Sequence, residues 1–65
     1  MSNNQNNQVP EEIEKLSEQL SLKLAEKLRS RQIDVAKMAY TIQAFVYYVN
    51  VGKGLEELEK FVNNV

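Results

Sequence analysis

Apolar residues return at three- and four-residue steps through most of the chain, and the way they are distributed around each helical wheel separates three stretches. In the first, Ile13, Leu16, Leu20, Leu24 and Leu28 form a single stripe. Glu14, Lys15, Glu18, Glu26 and Arg29 take the other side, with Leu22 as a lone leucine among them, so the segment from about residue 10 to about residue 30 reads as a one-faced amphipathic helix. Pro10 with Glu11, Glu12 and Glu14 marks its start: proline suits the first turn, and the acids complement the positive end of the helix dipole.

The second stretch, Gln32 to Val51, has two apolar faces. Val35, Met38, Ala39, Ile42, Phe45, Val46 and Val49 make one, which the pattern assigns to the intrachain core. Ile33, Ala36, Tyr40, Ala44, Tyr47 and Val51 make the other, roughly opposite. Only two narrow polar seams separate them, Asp34/Lys37/Thr41/Tyr48 and Gln43/Asn50. A helix that is apolar nearly all round must be covered nearly all round, and two other short helices can hardly do that. The second face is therefore expected to meet another chain, with Tyr40 and Tyr47 as its large contacts and the alanines permitting close approach.

The boundary between these two helices carries neither glycine nor proline: it reads Leu28-Arg29-Ser30-Arg31-Gln32. One unbroken helix of some 40 residues keeps both stripes in phase. A break is favoured by the gap in the stripe between Leu28 and Val35 and by its change of spacing, with Ser30 as the expected cap of the second helix. Gly52-Lys53-Gly54 ends the second helix, since glycine closes a helix in the left-handed conformation without a Cβ penalty. A short third helix follows, with Leu55, Leu58, Val62 and Val65 on an apolar edge that Phe61 broadens. About three turns are marginal alone, so it should dock on the other two.

Length sharpens the expectation of a second chain. The chain has 65 residues and no Cys or His, so neither a disulfide nor a usual zinc site can reinforce a small core. That leaves unusually good helix packing or self-association, with self-association the leading expectation. Residues 1–9, rich in Asn and Gln, read as a disordered polar tail ahead of a single helical domain at 10–65. They lack the basic start and apolar run of a secretory signal, which points to the cytoplasm. The central run from Met38 to Gly52 carries no charge, yet it is shorter than the roughly 20 residues that span a bilayer and contains Thr41, Gln43 and Asn50. No membrane role is expected.

Catalysis has little to draw on. The serines have no base beside them in a recognisable motif, Gly52-Lys53-Gly54 lacks the spacing of a phosphate loop, and the carboxylates at the first helix start serve the dipole. The sequence thus points away from an enzyme and implies no cofactor or metal.

Net charge is −1, which gives no bulk attraction to nucleic acid, but Lys23, Lys27, Arg29, Arg31 and Lys37 concentrate positive charge in one segment. The order Gln32, Val35, Ala36, Lys37, then Val46, Val49 and Gly52, followed by Leu55 to Lys60, resembles that of phage-repressor-type helix-turn-helix DNA-binding domains over about half the chain. The resemblance implies a recognition helix starting near Gln43, with Gln43, Ala44 and Tyr48 toward the bases. Tyr40 stands where that family has its turn glycine, and Ile42 and Phe45 stand where polar residues would face DNA.

The sequence therefore predicts an all-α fold, a helical hairpin with a short third helix, assembling through its second helix into a dimer or higher bundle. Its expected function is that of a small regulatory or adaptor protein that binds itself and a partner protein's helix. The alternative is a compact DNA-binding transcriptional regulator using the basic patch.

Overall fold

The computed structural model describes residues 10–65, and the tail assigned to residues 1–9 lies outside the described residues. Three helices and no strand make up the described chain: α1 (Glu11–Arg29), α2 (Val35–Asn50) and α3 (Leu55–Asn63). The all-α class expected from the periodicity is what forms.

Helix α1 starts at Glu11, one residue after the proline. The Pro10 carbonyl accepts from the amides of Ile13 and Glu14 at 3.0 Å, while Glu11, Glu12 and Glu14 fill the first turn and Lys27 and Arg29 the last. Its leucine stripe is buried as the pattern requires: Leu16, Leu20 and Leu24 form the core with Phe45 from α2 and Leu58 and Val62 from α3. The most extensive helix contact is α1 against α3, while α2 touches both less.

The chain breaks between α1 and α2, which removes the single-long-helix alternative. Ser30 does not cap α2. It sits at the C-terminus of α1, with its amide bonded to the Glu26 carbonyl at 3.0 Å, and the cap of α2 is Asp34, whose carboxylate accepts from the Lys37 amide at 2.8 Å. Arg31 supplies the reversal by adopting φ +64°. The Gln32 amide then reaches back to the Lys27 carbonyl at 2.8 Å and the Arg31 amide to Leu28 at 3.1 Å. This paired closure satisfies two of the carbonyls that a helix end leaves open.

The same closure recurs after α2, with Gly52 at φ +81° in the position of Arg31. The Lys53 amide bonds to the Tyr48 carbonyl at 3.0 Å and the Gly52 amide to Val49 at 3.1 Å. The C-terminus of α3 is closed by a distant side chain: Lys23 Nζ, from the middle of α1, donates to the carbonyls of Val62 at 3.0 Å and Asn63 at 3.4 Å. A cation at this end also complements the dipole of α3.

The inner face of α2 differs from the expected one. Only Phe45 is buried, flanked by half-buried Met38, Thr41, Ala44, Tyr48 and Val49. Val35 and Ile42, assigned to the intrachain core, lie outside it at 63% and 41% exposure, and Ala39 and Val46 are exposed with them. The reason lies in α3. Phe61 packs on Phe45 with ring centroids 5.8 Å apart and meets Tyr48 edge-on at 5.1 Å, which turns the Thr41/Tyr48 seam inward and rolls Val35 and Ile42 out.

Candidate protein-interaction face

The roll of α2 leaves on the order of half its circumference facing away from α1 and α3. Along one edge of that arc run Val35, Ile42 and Val46, along the other Tyr40, Tyr47 and Val51, and between them lie Ala36, Ala39, Gln43 and Asn50. All ten are exposed. Tyr40 and Tyr47 are the most prominent large contacts at 69% and 62%. None of the ten is charged, so the face can be dehydrated without stripping an ion, and the Gln43 and Asn50 amides with the Tyr40 and Tyr47 hydroxyls are the side-chain groups that need hydrogen-bond partners when covered. A helix with this surface gains little from folding by itself and much from being covered.

Of the six interface residues read from the pattern, Ala36, Tyr40, Tyr47 and Val51 share this face. Ile33 does not: it lies before α2 begins and is half-buried against the core. Ala44 is half-buried at the border between α2 and α3. Val35, Ala39, Ile42 and Val46 replace them, having been assigned inward by the wheel alone. Only knowledge of where Phe61 sits could have reversed that assignment.

A groove of about 510 Å³ runs beside the face between α2 and α3, floored by Ala44, Tyr48 and Phe61 and rimmed by Lys37, Glu57 and Lys60. Charges of both signs at its rim give it no single ionic preference.

The basic residues differ in how they are engaged, although Lys27 and Lys37 line one pocket with Gln32, Ile33 and Thr41. Lys23 is engaged at the end of α3, and Arg29 is ion-paired with Glu26 one turn earlier on α1. Arg31 is the turn residue between α1 and α2, and Lys27 is half-buried while Lys37 is exposed. Gln43 belongs to the uncharged face of α2, whereas Tyr48 is packed on Phe61 with Lys53 Nζ 5.6 Å above its ring centre. The turn that the repressor-like order requires at Tyr40 does not form, because α2 continues unbroken from Val35 to Asn50. Tyr40, Gln43 and Phe45 are parts of one helix.

Among the described residues, no group of three or more His, Cys, Asp or Glu could hold a metal ion, and no helix is long and apolar enough to cross a membrane. No family model, curated protein or solved structure matches the chain.

Proposed function

We propose that the protein is a small, non-enzymatic regulatory or adaptor module of the cytoplasm that works by helix-mediated association, first with itself and then with a partner protein's apolar helix. The observation supporting this is the outer half of α2: uncharged, largely apolar and exposed, while the core of the fold closes without it. Burying such a surface is favourable at roughly 25 cal/mol per Å² before association costs. A helix laid against it would read as a ladder of apolar contacts at three- and four-residue steps.

Molar mass in solution tests the reading directly. The chain weighs 7.5 kDa, and light scattering should give a larger mass that falls on dilution. The thermal midpoint should rise with concentration, because association stabilises the folded chain by mass action. A mass of 7.5 kDa at every concentration overturns self-association. Sequence-selective duplex binding that falls steeply with salt and is lost in an Arg29→Ala/Arg31→Ala variant would replace the proposal with the regulator reading.

A further inference from the structure

The groove between α2 and α3 adjoins a second pocket of about 330 Å³ that reaches α1, and the two are bordered in common by Lys37, Thr41, Asn64 and Val65. From this continuity we infer a ligand site for a small amphiphile, its apolar body lying in the groove and its anionic headgroup held between Lys27 and Lys37. The site shares Tyr40 with the outer face of α2 and is otherwise separate from it, so it does not depend on self-association.

The two halves differ in chemistry. The groove is floored by Ala44, Tyr48 and Phe61, and its rim charges, Lys37 and Lys60 against Glu57, are mixed. In the second pocket the bordering charged side chains are Lys27 and Lys37 alone. Lys27 comes from the last turn of α1 and Lys37 from the first turn of α2. The closure that bonds the Gln32 amide to the Lys27 carbonyl at 2.8 Å brings the two to one corner of the fold.

Among the described residues neither ammonium is in an ion pair. The acids nearest along the chain are committed elsewhere: Asp34 accepts from the Lys37 amide and borders neither pocket, and Glu26 is paired with Arg29. The carbonyl end of α3, which would repel an anion, is met by Lys23. Two like charges facing one pocket repel, and an anion between them replaces that repulsion with two attractions. The Thr41 hydroxyl donates to the Lys37 carbonyl at 2.8 Å, so the neutral donors left for a headgroup are the exposed side-chain amides of Gln32 and Asn64. An inorganic anion would gain nothing from Tyr48 and Phe61, and a neutral hydrocarbon would leave the lysines unpaired. An amphiphile uses both, and the groove's volume of about 510 Å³ lies within the roughly 300–1,000 Å³ of small-molecule pockets.

Titration of the nitrogen-15-labelled chain, followed by amide shifts, tests the site with dodecanoate and dodecyl phosphate as probes, each kept below its micelle concentration. Both should give saturable shifts at Lys27, Gln32, Lys37, Thr41 and Phe61, the tighter of the two identifying the preferred headgroup. Dodecanol and dodecyltrimethylammonium should bind about tenfold or more weakly, and added salt should weaken the anionic probes. Lys27→Gln/Lys37→Gln should lower the affinity for dodecanoate about tenfold or more. Lys37 is exposed, so Lys37→Gln alone keeps the fold and should lower it about threefold. The absence of saturable binding, equal affinity for dodecanol, shifts confined to Ala39, Gln43 and Tyr47, or unchanged affinity in both lysine variants overturns the site. Each of these leaves the association reading standing, because that reading is decided by the molar mass of the ligand-free chain.

Discussion

Helices α1 and α2 are both rich in apolar residues, yet they spend them differently. In α1 the apolar positions form one stripe, and that stripe is consumed inside the chain: Leu16, Leu20 and Leu24 are buried against α3 and Phe45. In α2 the apolar positions surround the helix, and a single residue, Phe45, is fully taken into the core. The difference shows that apolar content does not locate a core. What locates it is the number of neighbours that can reach a helix, and α2 has neighbours on one side only.

Substitutions should separate the two roles. The largest effect is expected at the shared core, where Phe45→Ala, Leu24→Ala and Leu58→Ala should each cost about 2–5 kcal/mol and shift the urea midpoint of a domain this small close to zero. Next comes the outer face of α2. Tyr47→Glu should return the protein to monomer while leaving its helical content intact, and its thermal midpoint should lose all dependence on concentration. If Phe45→Ala yields folded monomers and Tyr47→Glu changes nothing, the assignment of the two sides of α2 is reversed. Salt sharpens the contrast further: association through an uncharged face should change little between low and high ionic strength, in a titration followed by light scattering.

Smaller effects belong to the helix ends. Gly52→Ala should destabilise by about 1 kcal/mol in denaturant unfolding, because the added Cβ meets nothing within 4 Å and the whole cost is the left-handed backbone. Arg31→Gly should do the opposite at the equivalent position between α1 and α2, stabilising by up to about 1 kcal/mol. Lys23→Met, which keeps most of the stem and removes the charge at the end of α3, should cost about 0.3–1 kcal/mol.

How much of this was legible depends on whether the deciding contact is local. The α1 stripe and the glycine stop after α2 follow from residues close in sequence, and both appear where the pattern puts them. The α1–α2 turn was ambiguous because Arg31 takes a conformation that usually announces itself as glycine or asparagine. The usable signal was Asp34, an N-cap residue immediately before an apolar run, and it outranked Ser30. The orientation of α2 was not legible. Rolling Thr41 and Tyr48 inward and Val35 and Ile42 outward is decided by Phe61, which lies more than a helix away along the chain.

The predominance of the α1–α3 contact bears on the order in which the protein can be built. Of the three helices, the two that share most of the core are separated by α2 along the chain, and Lys23 on α1 waits for carbonyls at positions 62 and 63. Until α3 emerges, Leu16, Leu20 and Leu24 have only Phe45 from α2 among the six core residues. A nascent chain that has completed α1 and α2 therefore presents both the leucine stripe and the uncharged α2 face to its surroundings. Closing the core requires α3, which supplies Leu58 and Val62 to it.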